Sequence, residues 1–271
     1  MYGVGMNTRH PITTSSPSKF SVQVALLAAI LIGGLLGLAG PARAQGGPPM
    51  VTDDPGTPGN GHWEINFGAI STHTRARTEI AAPDVDLNYG WGDNIQLKLD
   101  APWVTARDTG QGWKSGTGDT ELGVKWRFID EEKSGFSLST YPQYTRSLTH
   151  SSIRRGLASA GHEFFLPVEL AGDLGGFSIT TEAGRNFVQS GPNEWVAGIV
   201  VAHDCGVEGL ECMAELHTVQ APGARQTLFN MGLHWKLQES LTFLAAVGRD
   251  VGAHTDEGGQ SLVYIGLQFT R

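Results

Sequence analysis

The residues able to do chemistry are charged, and they recur at every second position. Lys98 and Asp100 sit two apart within Asn94–Trp103, and Lys125 and Arg127 do the same four residues after Glu121. Glu64, Asp86, Glu182 and Lys236 stand in the same alternation elsewhere, as do Glu169 and Glu215. A period of two places these side chains on one face of extended chain. Charges this numerous cannot be buried unpaired and dry. They suit a hydrated wall on which opposite charges pair across a gap, and such a wall selects solutes by electrostatics. Lys98, Asp100, Glu121, Lys125 and Arg127 are the residues expected to set that field.

Bond-making chemistry is poorly supplied. His203-Asp204-Cys205-Gly206 invites comparison with the His and Ser of outer-membrane phospholipases, but the hydroxyl is missing, so His203 reads as a turn residue. His217 and His234 read as wall residues rather than metal ligands. No zinc-protease motif or phosphate-binding glycine loop is present. No catalytic residue, metal site or cofactor is therefore expected. Cys205 and Cys212 flank a short turn, and export to an oxidising compartment makes a disulfide between them the expected state. Thr52-Asp53-Asp54-Pro55, shortly before Gly61-His62-Trp63-Glu64, reads as an Asx-type turn leading to a tryptophan anchor.

The elements that must hold the charges are strands. In Asn94–Trp103, Ile95, Leu97, Leu99, Ala101 and Trp103 face one way while Asn94, Gln96, Lys98 and Asp100 face the other. The alternation returns about twelve times from His62 to Thr270, with no amphipathic helix between. Short turns are expected near 90–93, 130–135, 171–176, 204–210 and 238–240. Longer links are expected near 72–79, 107–117, 147–161, 188–193, 219–226 and 251–260. Trp63, Trp91, Trp126, Trp235 and Phe269 then gather at the short-turn rim, with Trp103 and Trp195 at the other, as interfacial aromatic girdles do. The pattern predicts an all-β fold, a transmembrane antiparallel up-and-down barrel of about twelve strands. The alternative is a soluble β-sandwich or lipocalin-like barrel with its apolar face inside.

Residues 1–44 carry Arg9 and Lys19, an apolar run from Val22 to Leu38, and Ala42-Arg43-Ala44. They read as a signal peptide cleaved after Ala44. Residues 45–61 are rich in Pro and Gly and read as an irregular leader or a segment tucked into a barrel mouth; residues 62–271 read as the barrel. With a net charge of −8 and no basic patch, a nucleic-acid partner is not expected. The expected partners are outer-membrane lipid, a small-molecule solute and, because the last strand resembles a C-terminal assembly signal, the barrel-assembly machinery. The expected location is the bacterial outer membrane.

The Thr52-Asp53-Asp54-Pro55 and Gly61-His62-Trp63-Glu64 motifs, followed by Gly118-Asp119-Thr120-Glu121-Leu122-Gly123-Val124-Lys125, resemble the outer-membrane family named for meta-pathway phenol degradation. The resemblance covers about residues 48–271. It implies a channel for small, often aromatic, compounds and supplies no catalytic residues. The function expected is passive uptake or efflux through a narrow polar lumen. The alternatives are a structural or partner-anchoring barrel, and a lipid-modifying enzyme, which lacks a visible nucleophile–base pair.

Overall fold

The computed structural model describes residues 47–252 and 259–271. The signal-peptide expectation for 1–44 lies outside them. Fourteen strand segments form twelve strands of one closed antiparallel barrel. The first three are β1 (Trp63–His73), β2 (Arg77–Gly90) and β3 (Ile95–Asp108). The next two are each interrupted: β4 comprises Lys114–Thr117 and Asp119–Ile129, and β5 comprises Ser137–Thr140 and Gln143–Ser147. Then follow β6 (His162–Leu174), β7 (Phe177–Val188), β8 (Glu194–Asp204) and β9 (Leu210–Ala221). The last three are β10 (Ala224–Gln238), β11 (Leu241–Asp250) and β12 (Ser261–Thr270). Each strand pairs with its sequence neighbour, and β1 closes on β12 from Glu64↔Thr270 to His73↔Ser261. Closure leaves no sheet edge unpaired, which lipid would not tolerate.

The interruptions have local causes. β4 breaks at Gly118, where a Cβ would meet Val104 and Pro102 at 2.7 and 2.9 Å. β5 breaks at Tyr141-Pro142, because proline has no N–H to give the ladder.

The two barrel faces are opposite in character. Phe67, Leu99, Leu122, Val124, Leu166, Val168, Met231, Val247 and Ile265 all point outward and are exposed. An apolar belt of this extent is incompatible with a water-facing exterior and matches the lipid-facing band of a membrane barrel. Charged side chains are buried inside. This reverses the soluble alternative. The interior is nevertheless not uniformly polar. Val200, Ala202, Met213, Leu228, Leu244, Ala246, Leu262 and Tyr264 cluster on the inner face of β8–β12. Runs such as Trp195–Ala202, apolar on both faces, conceal that inner wall from a period-of-two reading.

The connections differ from expectation in length. The links expected at 72–79 and 219–226 shrink to Thr74–Ala76 and to Pro222-Gly223, with Gly223 at φ +81°. Polar residues such as Thr78, Gln220 and Thr227 are paired strand, not loop. The longest described connection on that rim spans 148–161 and contains a one-turn helix, α1 (His150–Arg154). The opposite rim carries another one-turn helix within 130–136 (Glu131–Ser134). Its N-cap Asp130 accepts the Glu132 N–H at 3.0 Å. Partial burial, then the neighbouring Asp173 and Asp130, push the Glu131 carboxyl above its usual range.

The aromatic side chains form two outward rings. At the short-turn rim Trp63 packs on Tyr89 at 4.8 Å and Trp126 on Phe128 at 5.5 Å, and Trp91, Trp235 and Phe269 are exposed beside them. The other ring holds Trp103 and Trp195, joined by Tyr144, Phe164, Phe187 and Phe229, all exposed. Cys205 and Cys212 are disulfide-bonded across the β8–β9 turn, with Cα atoms 5.8 Å apart.

Candidate functional site

Residues 47–56 lie inside the barrel and 57–61 run along its short-turn rim. Their four prolines, Pro48, Pro49, Pro55 and Pro58, reduce the number of backbone N–H groups that an irregular chain must satisfy. The remaining groups find partners. The Gly47 N–H donates to Thr52 O at 2.8 Å and the Met50 N–H to Gly47 O at 2.8 Å, which closes a compact hook.

Wall side chains bind the hook on the β9–β10 side. Glu215 accepts the N–H of Val51 at 3.0 Å and that of Thr52 at 2.6 Å. Asn230 Nδ2 donates to Glu215 at 3.1 Å, and His234 Nε2 donates to Pro48 O at 3.0 Å. Thr52 is 0% and Glu215 1% exposed, so these charge-assisted bonds work without competing water. Two wall glycines make the space. A Cβ on Gly198 would run into Thr52, and one on Gly232 into Met50.

The chain then crosses to β4, β6 and β7. Lys125 Nζ donates to Asp53 Oδ1 at 2.8 Å and to the Asp54 carbonyl, and it lies 3.8 Å from Glu169 Oε2. Ser139 Oγ donates to the same Glu169 oxygen at 2.5 Å. The Tyr141 ring centroid is 4.5 Å from Lys125 Nζ, a cation–π geometry. Glu182 stands directly opposite Glu169 across β6 and β7. The segment leaves along the β2–β3 turn, where Thr57 Oγ1 donates to Asp93 O at 2.8 Å and the Gly61 N–H to Gly90 O at 2.9 Å.

Beside the segment runs an acidic ladder. Asn66, Asp86, Asp100, Glu121 and Thr145 stand directly opposite one another across β1 to β5. Like charges facing across strands repel. Lys98 offsets one of them by pairing with Glu121 at 3.1 Å. Asn66 and Asn88 donate to Asp86 Oδ2 at 3.1 and 3.0 Å. Asp86 Oδ1 has no hydrogen-bond partner. A cavity of about 230 Å³ opens here. Asp84, Asp86 and Asp100, with Lys98 among them, form its charged side; Met50 and Tyr264 bound the other.

The charges expected to line the lumen thus divide into groups. Asp86, Lys98, Asp100 and Glu121 meet in the ladder, Lys125 holds the segment, and Glu182 faces Glu169 on the neighbouring strand. Glu64 lies lower, with Asn66 donating to it at 3.3 Å. Arg127 is tied at the short-turn rim to Asp130 at 3.2 Å and to Asp93 O. Lys236 is exposed on that rim, beside the β10 irregularity. Sequence reasoning missed Asp53, Asp84, Tyr141, Asn230 and the anchoring role of Glu215 and His234. His203 faces outward, packed on Phe177, its Nδ1 2.9 Å from Gly176 O. Among the described residues no group of three His, Cys, Asp or Glu is arranged to hold a metal.

No family model matches the chain, and no curated protein matches its sequence. Solved structures do match. An outer-membrane channel from Pseudomonas putida F1 superposes with a TM-score of 0.60 at 14% identity, over 84% of this chain and 99% of that one. The KdgM porin in complex with disordered oligogalacturonate gives 0.55 at 10% identity, over 76% and 98%. The translocator domain of the autotransporter NalP from Neisseria meningitidis gives 0.50 at 10% identity, over 92% and 95%. At these identities the likeness concerns the fold, and one fold serves channels and a translocator alike. The chain has the closed antiparallel barrel fold of these outer-membrane proteins.

Proposed function

We propose that the protein is a bacterial outer-membrane channel for passive passage of small solutes, and that residues 47–61 are its plug. One observation carries this reading. The segment is held in the lumen by side-chain anchors and a few rim backbone bonds, with no strand pairing to the barrel along 47–60. It can therefore leave while every ladder of the barrel stays intact. Its departure would join the 230 Å³ cavity to the rest of the lumen.

The emptied passage would have two unlike walls, the acidic ladder on β1–β4 and the apolar cluster on β8–β12. A solute with an apolar body and a cationic or hydrogen-bonding edge suits both at once. Small aromatic compounds are of this kind, which agrees with the resemblance to the phenol-degradation family. The organisation proposed is a signal peptide over 1–44, a plug over 45–61 and a barrel over 62–271, with lipid and the barrel-assembly machinery as partners.

The test compares the mature chain with a variant lacking residues 47–58, both in planar bilayers and in liposome swelling with small aromatic and ionic solutes. The full chain should conduct little, and the deletion should conduct strongly with preference for cations. A deletion variant that inserts as a folded barrel yet passes no solute would overturn the channel reading and favour a structural barrel.

A further inference from the structure

The outward face of the barrel carries charge of one sign at one end. The register assigns every strand position to the inside or the outside. On the outside, among the described residues, there is no Asp, Glu or Lys within a regular strand. There are five arginines: Arg107 on β3, Arg146 on β5, Arg185 on β7, Arg225 on β10 and Arg249 on β11. Four of them are one residue from the long-loop end of their strand, and Arg185 is three away. His73 and His162 share that level; His162 stacks on Tyr144 at 5.4 Å. The short-turn end has no arginine within a strand on its outer face.

Among the described residues these arginines have no carboxylate partner. The inward cations Arg77, Lys98, Lys114, Lys125 and Arg127 each pair with a carboxylate. None of the five outward arginines pairs with a carboxylate among the described residues. Arg225 Nε is buried with no hydrogen-bond partner among the described residues. Arg107 lies 4.9 Å from the Trp113 ring and Arg185 4.8 Å from the Trp195 ring, so aromatic faces orient two of the guanidinium groups. Arginine on a lipid-facing surface is strongly destabilising at the bilayer midplane and nearly neutral near the interface. A belt of them is therefore tolerated only at headgroup depth. A planar guanidinium also matches a phosphate with two parallel hydrogen bonds.

We infer that this belt binds the phosphorylated sugar headgroups of lipopolysaccharide in the outer leaflet. The inference rests on the outer-membrane reading above and on the long loops facing outward. Charge complementarity names the occupant. The belt is carried by five of the twelve strands between β3 and β11, on the leaflet side where that glycolipid lies, and among the described strand residues of the outer face it has no acid beside it.

The test uses the folded full-length mature chain and the triple variant R107Q/R185Q/R249Q. Insertion into vesicles and heat-modifiable gel mobility are checked first. Failure of both proteins to insert overturns the outer-membrane reading and this inference with it. Binding is then titrated with purified lipopolysaccharide, with its enzymatically dephosphorylated form and with phosphatidylglycerol. The expected result is a loss of affinity for lipopolysaccharide on the order of 100-fold in the triple variant, from about 1 kcal/mol per arginine at an anionic surface. A similar loss is expected for the wild-type chain on the dephosphorylated lipid. Equal binding of wild type and variant, equal binding of the two lipid forms, or equally tight binding of phosphatidylglycerol would each overturn the inference.

Discussion

Replacing Lys125 by Met tests whether the segment is held by charge. Lys125 is 2% exposed and Glu169 0%. Its ammonium serves Asp53 at 2.8 Å and Glu169 at 3.8 Å, and Glu182 stands directly opposite Glu169 across β6 and β7. One cation therefore stands among three carboxylates. Removing one member of a buried ion pair costs about 3–5 kcal/mol, because the other is left uncompensated. The barrel wall is secured by continuous ladders, whereas the segment rests on a few side-chain contacts. The cheapest relief is for Asp53 to leave the lumen with its segment. A 3 kcal/mol loss lowers the docked-to-released ratio on the order of 100-fold. Single-channel recordings should show a comparable rise in open probability for Lys125→Met, while heat-modifiable mobility stays that of a folded barrel. The double variant Lys125→Met/Asp53→Asn should show strong non-additivity against the two single changes. An unchanged open probability in a folded Lys125→Met barrel would refute the reasoning. Loss of the barrel itself would show that Lys125 holds the wall rather than the segment.

Other perturbations probe the remaining contacts. Glu215→Ala orphans the Val51 and Thr52 N–H groups at about 1–3 kcal/mol each, so hydrogen exchange at those two amides should accelerate by tenfold or more. Gly198→Ala places a Cβ against Thr52; overpacking of about 1–3 kcal/mol should open the channel without changing any charge, read as increased liposome swelling. In the background lacking 47–58, Asp86→Asn/Asp100→Asn should lower the cation-over-anion permeability ratio several-fold, read from reversal potentials. Lys236→Gln, at an exposed rim position, should leave that ratio unchanged.

The strand alternation of Asn94–Trp103 contained most of the fold. It states which side chains share a face, and the observed register puts Lys98 and Asp100 inside and Leu97, Leu99 and Trp103 outside. A spacing of two does not say how deep a residue lies or what stands opposite. Lys125 and Lys236 look alike in sequence, yet one is buried on Asp53 and the other exposed at a rim. The segment's anchors depend on contacts 163 residues apart, as between Thr52 and Glu215, and no local pattern encodes such a pair. Strand ends were under-read for a different reason. Thr78, Arg107, Arg225 and Thr227 have the composition of loop, but they pair as strand where the barrel rises beyond its apolar belt. The arginine belt is invisible until those residues are given a face.

The segment enters the barrel wall at Trp63, whose N–H donates to Arg271 O at 2.7 Å at the closing seam. The stopper is thus tethered to the vessel by its own chain. From Gly47 to His62 the fully extended reach is about 50–55 Å, so a released segment stays near the short-turn mouth. Tethering by a short linker corresponds to an effective concentration in the millimolar range. Reclosure is then a first-order event, indifferent to how many copies share the membrane. A free peptide of residues 47–58 should match the tethered segment's occupancy of the deletion variant only near millimolar concentrations, and block from one mouth alone.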